Sequence, residues 1–551
     1  MTDEEEQVAD NVGTPFADSS ALDVDGLATR LRDLAVDLVR SVEVVDDHLV
    51  RAEGIPDLHG EVLDALHDIV ALDEMMAITV VDRTDLQEGL EVVHHMTRLD
   101  GGATLELCTP YPLGKEDDGR VRAPSATKHW RAANWLEREA WELSGVPFEG
   151  HDDMRRLLLP RWGVGHPLRR DEAAQRTVVP DDRTVTPGDD APTGVSWTHV
   201  DLPYPSMGGR MGLQVRTTEG RVTKARVTIG HLHRGVEGLA QERSYSEVMP
   251  LVARTAVRSS IHWQVAYAEA VERLCHQEVP PRGRAIRVAL MEMERIADHM
   301  LAYATILDLL GCAASAARVW ADRELVMDAT QAVTGQRLVQ DAIVVGGVAR
   351  DAPDPWSERI LRLSRTVQAA VKEYVREAED LAPFRRLEGL APVHLEDMRG
   401  WGMTGPLVRA TGIARDARAD GRCRSYVDHK VPVQVRESGD AMGRSELRLL
   451  EMASSALTLS HMARSMPGGR VRSSMPEVVP KGRGLGVVEG PRGEVLCYVV
   501  SDGTERPRRM RLRGPDFAHA AALEDLLLEC PEKDVALAVA SVDICVGGCD
   551  R

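Results

Sequence analysis

The feature that most constrains the fold is a break in the sequence at residues 173–194, which read AAQRTVVPDDRTVTPGDDAPTG. Asp, Thr and Pro dominate this stretch, and neither the strand period nor the helix period continues through it. The residues before it alternate in short apolar runs, whereas those after it contain long helical patterns. The sequence therefore predicts a linker at residues 173–196 between two domains, residues 26–172 and residues 197–551.

The N-terminal domain is predicted to mix helices and strands. An amphipathic pattern from about Gly26 to Gly60 is followed by the short apolar runs AITVVDR, EGLEVVHHMTRL and TLELCTPYP. Residues 1–25 are acidic and carry few apolar positions, so we expect a disordered acidic tail there. The pattern favours an α+β domain that closes near Asp171.

The C-terminal domain is predicted to be mostly helical with small β elements. Two strands, GRMGLQVRT and RVTKARVTIG, precede the long helical segment AIRVALMEMERIADHMLAYATILDLLG, which has no helix breaker before Gly311. Near the end, GPRGE lies between two further strand patterns and is typical of a hairpin turn.

Charge and cysteine content narrow the range of partners and compartments. Acidic residues outnumber basic ones, 87 against 67, for a net charge of -20, which argues against nucleic acid and anionic lipid as direct partners. Eight cysteines and an acidic start without a signal peptide favour a reducing cytoplasm. No apolar run reaches the ~18 residues of a membrane span, so we expect any work at a membrane to depend on docking to other proteins.

The densest motif of the N-terminal domain runs from Glu137 to Glu172 and reads EREAWELSGVPFEGHDDMRRLLLPRWGVGHPLRRDE. Its residues alone indicate a short helix, a Gly turn and a structured surface loop. The run also resembles the signature of the C-type subunit of respiratory complex I and of the related membrane-bound hydrogenases. That pattern joins an acidic helix, a Gly-hydrophobic-x-Phe-x-Gly-His turn, an LRRLL run and a final PLR-x-D.

The C-terminal domain carries a second, ordered series of motifs. GHLHRGVEGLAQERSYSEVMPLVAR, from Gly230 to Arg254, is similar to the signature of the D-type subunit of complex I and of the hydrogenase large subunit. MEMERIADHM, DRELVMDATQAVTGQR, GPLVRATGIARDARAD, MPGGRV and GPRGE follow in family order. The resemblance covers Asp201 to Arg551 and leans toward the hydrogenase-4 and formate hydrogenlyase branch. It implies a fused C/D chain whose second domain has the fold of the D-type subunit or nickel-iron large subunit.

The resemblance implies a reaction site between the two ends of the second domain. Hydrogenases of this superfamily hold a nickel-iron centre there on two CxxC pairs, because soft thiolates suit these metals. Ala256 and Ser259 stand where the first pair of thiols belongs. At the chain end, DICVGGCDR aligns Cys545 with one thiol and Gly548 with the other, while Cys549 lies one residue late. Cys545 and Cys549 are therefore the candidate metal ligands at this place, and the losses argue against a nickel-iron centre.

Complex I instead reduces quinone at the corresponding place, where a His and a Tyr contact the quinone oxygens. The alignment puts Gly208 at the His position and Val257 at the Tyr position. Both polar contacts are missing, so quinone is a candidate ligand that would bind without them. His231 and His233 flank Leu232 at the end of a predicted strand, so we expect both to face one side. A structural hydrogen bond is the alternative role for each histidine.

Further candidates for catalysis or proton movement follow from the same resemblance. His233 and Arg234 belong to the HRG run near the expected iron-sulfur neighbour, and Glu237 is either the start of a proton path or a salt-bridge partner. The full catalytic set predicted from the sequence is His233, Arg234, Glu237, Arg254 and Asp543. Asp543 and Asp550 are alternatively capping or pairing residues at the chain end.

Glu292, Arg295 and His299 form a polar stripe at i, i+3 and i+7 of the long predicted helix. Two interpretations remain open for this stripe. It is either a proton relay toward a membrane arm or an ion-pair network between helices.

Three functions are compatible with these observations. The leading hypothesis is a fused C/D subunit on the cytoplasmic side of the membrane. It would bind an iron-sulfur subunit of the B type found in complex I, a membrane anchor of the H type and an ion-translocating arm. The alternatives are a non-catalytic coupling or assembly subunit and an atypical group 4 nickel-iron hydrogenase. We assign no cofactor to this chain itself, and we expect the iron-sulfur cluster and any NADH chemistry in partner proteins, because no Gly-rich dinucleotide motif follows a strand.

Overall fold

The computed structural model describes residues 22–34, 38–112, 121–160, 163, 165–170 and 197–551. Residues 1–21 of the predicted tail and all of the predicted linker, residues 173–196, lie outside the described residues. The first described helix begins at Val24, two residues before the predicted domain boundary.

The N-terminal domain is built on a five-stranded sheet in the order β1-β2-β5-β4-β3. β2 and β5 run parallel, and the other neighbours are antiparallel. β3 and β4 are buried along nearly their whole length. The strands are β1 Val39–Asp46, β2 Leu49–Gly54, β3 Glu74–Arg83, β4 Gly89–Thr97 and β5 Thr104–Tyr111.

Among its described residues, three α-helices and one small strand pair complete this domain. The helices are α1 Val24–Leu34, α2 His59–Asp68 and α3 Ala133–Ser144, and the parallel pair is β6 Ala123–Pro124 with β7 Phe148–Glu149. Trp130, at the entry to α3, is fully buried and donates its indole N–H to the carbonyl of Leu72 at 2.9 Å. The predicted α+β domain is confirmed.

The C-terminal domain begins with a three-stranded sheet and continues mainly as helices. Its strands are β8 Thr198–His199, β9 Gly212–Thr218, β10 Arg221–Thr228, β11 Ile343–Val344, β12 Gly347–Val348, β13 Gly482–Gly490, β14 Gly493–Ser501 and β15 Arg509–Arg513. Its helices are α4 Tyr204–Met207, α5 Val236–Gln241, α6 Tyr245–Ala253, α7 Ser260–Leu274, α8 Pro281–Leu309, α9 Ala313–Thr334, α10 Trp356–Asp380, α11 Leu395–Met398, α12 Pro406–Arg409, α13 Ala441–Arg464, α14 Pro515–Leu526, α15 Val535–Val542 and α16 Val546–Asp550.

Helix α8 forms the centre of this domain and is buried over most of its 29 residues. It packs against α9, α13 and α15, while α7 lies across the β13-β14 hairpin. That hairpin is the one predicted from GPRGE, and its two-residue turn joins Gly490 to Gly493. A β-carbon at Gly486 would lie 2.0 Å from the carbonyl oxygen of Ala266, so only glycine allows α7 to approach the hairpin this closely.

The two domains are joined by buried guanidinium-carboxylate pairs. Glu139 of α3 accepts from Arg511 of β15 and from Arg551 at the chain end. Arg483 of β13 reaches Glu91 of β4 at 2.7 Å. A buried charge without its partner strongly destabilises a protein. Each domain therefore supplies partners for buried charges of the other domain.

No helix among the described residues combines the length and the apolar composition needed to cross a membrane.

Three histidines are buried in the N-terminal domain and held neutral. Burial lowers the pKa of His59 to about 3 and that of His95 to about 4. Burial also lowers the pKa of His94 well below 6.5, and neither ring nitrogen of His94 has a hydrogen-bond partner among the described residues. All three side chains must therefore charge when this domain unfolds in acid.

This burial predicts a pH dependence of stability. Because the three folded-state pKa values lie below the unfolded value near 6.5, their contribution to stability is present above about pH 6.5 and is lost as the pH falls toward 4. The free energy of unfolding should therefore fall less steeply with falling pH in His94→Leu than in wild type, by up to about 1.4 kcal/mol per pH unit. Urea unfolding of wild type and variant at pH 7.5, 6.0 and 5.0 measures the slope. Equal slopes for both proteins would contradict the prediction, and the comparison at pH 7.5 controls for packing changes.

Candidate functional site

The candidate site lies where the chain end meets the turn after β10. The carboxylate of Asp550 accepts hydrogen bonds from the backbone N–H groups of Gly230 at 2.8 Å and Leu232 at 2.7 Å. His233 contacts the carbonyl oxygen of Asp550 through Nδ1 at 2.7 Å. These three contacts hold helix α16 against residues 230–233. The two ends of the C-terminal domain meet, as the resemblance implied.

The expectation that His231 and His233 face one side of a strand is wrong. β10 ends at Thr228, and His231 and Leu232 form a turn. His231 is exposed and lines a cavity of about 1350 Å³ between the two domains, whereas His233 is half-buried against α16. The glycine at position 230, with φ of +96°, bends the backbone away from strand geometry and separates the two side chains.

Five buried charged residues form a network beside the last helix, which we name the charge cluster: Arg258, Asp298, Arg492, Asp516 and Asp543. Arg258 donates to Asp298 at 2.7 Å and to both oxygens of Asp543 at 2.7 and 3.2 Å. Arg492 donates to Asp298 at 2.6 Å and to Asp516 at 3.0 Å.

Arg492 links the charge cluster to the hairpin, because it lies in the two-residue turn between β13 and β14. Its remaining Nη2 group donates to the hydroxyl oxygen of Ser259 at 2.7 Å. Ser259 is one of the positions where the resemblance expects a metal-binding thiol. The structure therefore places a hydrogen-bonded hydroxyl and a guanidinium group where the metal-binding thiol would stand.

Burial and pairing act in opposite directions on the carboxyl groups of the charge cluster. Burial would raise the pKa of Asp543, but Arg258 and Arg448 lower it below its usual value. In Asp516, burial outweighs Arg492 and raises the pKa. Asp543 is thus a firmly ionised partner of Arg258, which supports the pairing role that the sequence left open for it.

Both terminal cysteines contact Asp516. The backbone N–H of Cys545 donates to Oδ1 of Asp516 at 2.8 Å, and the thiol of Cys549 contacts the backbone carbonyl of Asp516 at 3.2 Å. Burial raises the pKa of each thiol, and that of Cys549 strongly.

Gly548 explains why a second CxxC thiol does not fit this fold. A β-carbon at position 548 would lie 2.2 Å from Oδ2 of Asp516. No side chain is accommodated at that distance unless Asp516 moves. Asp516 is in turn held by Arg492 and by the backbone of Cys545, so the position aligned with the missing thiol is already occupied by a carboxylate.

The positions aligned with the quinone-contacting His and Tyr lie side by side. A β-carbon at Gly208 would lie 3.4 Å from Cγ2 of Val257 and 3.6 Å from Sγ of Cys545. Val257 is 39% exposed, whereas Cys545 is fully buried. Gly208, Val257 and Cys545 therefore form a small, largely apolar surface at the edge of the charge cluster, which we name the acceptor surface.

The other predicted catalytic residues are engaged in structural contacts. Glu237 is buried, pairs with Arg509 at 2.7 Å and accepts the backbone N–H of Leu512 at 3.0 Å. Arg234 donates to the carbonyl of Thr255 at 3.2 Å. Arg254 points away from the charge cluster, is half-exposed and pairs with Asp341 at 3.1 Å through both oxygens.

The polar stripe of α8 is part of a buried ion-pair network. Glu292 binds Arg418 at 3.1 Å and lies 3.8 Å from Arg295, while His299 contacts Glu451 at 2.9 Å. All three stripe residues are fully buried. These contacts favour the ion-pair interpretation of the stripe over the proton relay.

Sequence reasoning missed most of the charge cluster. Asp298 lies between Arg295 and His299 in sequence, but it pairs with Arg258 and Arg492 instead of joining the polar stripe. Asp516 follows a strand and belongs to no motif that we recognised in the sequence. The pattern around Arg492 indicated only a turn. The sequence contained one signal, the arginine of GPRGE, which stands in the turn between Gly490 and Gly493. A solvent-exposed turn does not need an arginine at this position.

Comparisons with known proteins support two domain types in one chain. Residues 52–178 match the model of the respiratory-chain NADH dehydrogenase 30 Kd subunit, and residues 310–481 and 474–551 match that of the 49 Kd subunit. The fused C/D subunit of NADH-quinone oxidoreductase from Nitrosospira multiformis is 27% identical, over 88% of this chain and 86% of the relative. The protein of the same name from Bdellovibrio bacteriovorus is 28% identical, over 87% of this chain and 91% of the relative.

A solved structure has a similar fold over about two thirds of the chain. A chain of the membrane-bound sulfane sulfur reductase, an archaeal respiratory membrane complex, aligns with a TM-score of 0.62 and 28% identity. The alignment covers 66% of this chain and 100% of that chain.

The contact at Gly548 yields a stability prediction. Gly548→Ala should destabilise the C-terminal domain by about 1–3 kcal/mol, because the added methyl group overpacks against Asp516. Gly468→Ala is the matched control, since a β-carbon there meets no described atom within 4 Å. Denaturant unfolding of both variants measures the difference. An equal effect at positions 548 and 468 would mean that Asp516 moves aside freely.

Proposed function

Because the chain is a fused C/D subunit of the NADH-quinone oxidoreductase family, we propose that it works in a membrane-associated complex that couples electron transfer to ion movement. In this proposal it lies peripherally, on the cytoplasmic side of the membrane. It contacts an iron-sulfur protein of the B type, a membrane anchor of the H type and, through them, an ion-translocating arm. NADH oxidation, where it occurs, belongs to a partner protein.

The observation that carries the proposal is the acceptor surface formed by Gly208, Val257 and Cys545. It combines an exposed apolar side chain with a glycine, which has no side chain of its own, and it lies at the meeting point of the two ends of the domain. A flat apolar ring such as a quinone is compatible with such a surface once an iron-sulfur protein covers its open side. The quinone would then receive its electrons from the partner's cluster and its protons from groups other than a His-Tyr pair.

In this proposal, the charge cluster has the structural role that a metal centre has in a nickel-iron protein. A nickel-iron site holds two distant chain segments together through its thiolates. Here Arg258 and Arg492 hold the same segments, the α7 entry and the chain end, through Asp298, Asp516 and Asp543. The proposal therefore includes no nickel in this chain.

A second candidate is a non-catalytic coupling or assembly subunit. It is favoured by the identity of Gly208 and Val257, because neither residue offers a proton or a hydrogen bond from its side chain to an acceptor. The atypical hydrogenase is disfavoured, because Asp516 occupies the space that a side chain at position 548 would need.

Composition of the intact complex is the first test. An affinity tag at the N-terminus should co-purify an iron-sulfur protein and membrane proteins from detergent-solubilised membranes. Elemental analysis should then find several iron atoms and less than about 0.1 nickel per chain. Stoichiometric nickel would establish the hydrogenase alternative, and a chain recovered without iron-sulfur or membrane partners would overturn the assignment to a complex.

A second test addresses the acceptor surface. Val257→Trp should lower quinone reduction by the purified complex at least tenfold, because the indole fills the space beside Gly208. Val427→Trp is the matched control, since Val427 is 72% exposed and belongs to neither the charge cluster nor the acceptor surface. Both complexes must retain their iron content and partner proteins.

The outcomes of this second test separate the candidates. Unchanged electron transfer in Val257→Trp would favour the non-catalytic role. If Val257→Trp lost reduction of a sulfane sulfur acceptor but kept quinone reduction, the result would instead favour an activity like that of the sulfane sulfur reductase that the chain resembles structurally.

A further inference from the structure

A second group of potential ligands lies in the N-terminal domain, on the face formed by the end of α2 and the turn before α3. Asp64, His67 and Asp68 occupy positions i, i+3 and i+4 of α2, so their side chains share one face of the helix. His129 approaches this face from residues 126–132, where its backbone N–H closes a turn on the carbonyl of Ala126 at 3.1 Å.

The donor atoms of this group lie close together. A ring nitrogen of His67, a carboxylate oxygen of Asp68 and a ring nitrogen of His129 all lie within 4.8 Å of one another. The two imidazole rings are stacked, with centroids 4.4 Å apart and an interplanar angle of 27°. A tetrahedral zinc ion with bonds near 2.0 Å needs donor separations of roughly 3.3 Å, which small side-chain rotations supply.

Each imidazole is oriented by its own carboxylate. His129 contacts Asp64 through Nε2 at 2.7 Å, and His67 contacts Asp68 through Nδ1 at 2.8 Å. Carboxylates commonly fix histidine ligands of metal ions in this way, or join them as ligands. If a carboxylate orients its ring, the ring offers its second nitrogen to the metal ion, and if the carboxylate is itself a ligand, the ring offers the nitrogen beside it.

The two histidine rings pack against a buried tryptophan. Both rings meet the edge or face of Trp130, with centroid distances of 5.5 Å. Trp130 is fully buried and fixed by its hydrogen bond to Leu72. His129 is itself nearly buried, with 9% of its side chain exposed, while His67 and Asp68 leave an open approach from solvent.

The charges match a divalent cation. Two carboxylate groups, Asp64 and Asp68, lie beside the two imidazole rings. Lys128 lies 3.4 Å from both oxygens of Asp64. This ammonium group occupies the position of a counter-ion that a bound cation would displace.

We propose that Asp64, His67, Asp68 and His129 bind a divalent transition-metal ion of the zinc class, which joins α2 to the entry of α3. Two imidazole and two carboxylate groups form a donor set that suits Zn²⁺ and Co²⁺. The site lies in the N-terminal domain and contains no residue of the charge cluster or of the acceptor surface. Its existence is therefore independent of the function proposed above.

Cobalt titration of the chelator-treated full chain tests this site. Wild type should bind one Co²⁺ per chain, with the intense visible absorption of tetrahedral cobalt and without a thiolate charge-transfer band, and Zn²⁺ should displace it. His67→Gln should weaken binding at least tenfold without affecting the fold, because His67 is partly exposed. Asp64→Asn should weaken binding by at least about tenfold, because it removes a carboxylate that either binds the metal ion or orients His129.

His461→Gln is the matched control, because His461 is exposed on α13 and far from the group in sequence. It should bind cobalt as wild type does. Cobalt binding that is equally strong in His67→Gln and wild type would overturn the site, as would a spectrum with thiolate charge transfer, which would assign the metal to the cysteines. No binding of Co²⁺ or Zn²⁺ by the wild-type chain at micromolar concentrations would also overturn it.

Discussion

The pairing of buried arginines with carboxylates is the constraint on which the rest of this structure depends. In the part of the chain that the structure describes, nine of the twelve largest fully buried side chains are arginines, so the core is not a purely apolar one. Each guanidinium group must find acceptors for several N–H groups, because an unpaired buried charge costs several kcal/mol. The partners come from segments that are distant in sequence, and the requirement to pair them fixes how those segments meet.

The charge cluster shows this constraint at its strongest. Arg492 can be satisfied only if the β13-β14 hairpin, α8 and the start of α14 are all in place, since its partners lie at the entry to α7, on α8 and on α14. Between the domains, Glu139 acts in the same way with Arg511 and Arg551. The fold is thus held at its centre and at its domain interface by the same kind of contact, and the apolar helices pack around it.

The sequence predicted the architecture well, because periodicity and turn chemistry are local. The α+β domain, the long helix α8 and the GPRGE hairpin all follow from patterns within a few residues. The meeting of the chain end with the HRG turn followed from the family resemblance alone. The charge cluster did not follow from either, because Asp298, Asp516 and Arg492 are separated by up to 218 positions and carry no shared motif. Likewise, the different surroundings of His231 and His233 depend on a glycine conformation that the strand pattern does not contain.

The closeness of position 548 to Asp516 also limits the routes by which a chain of this type can change over generations. A thiol at position 548 is excluded while Asp516 stays where Arg492 and Cys545 hold it. Removing Asp516 first would leave Arg492 short of an acceptor. A four-thiolate centre at this place would thus require several substitutions at once, each harmful alone, so the present ion pairs hinder its appearance by single substitutions.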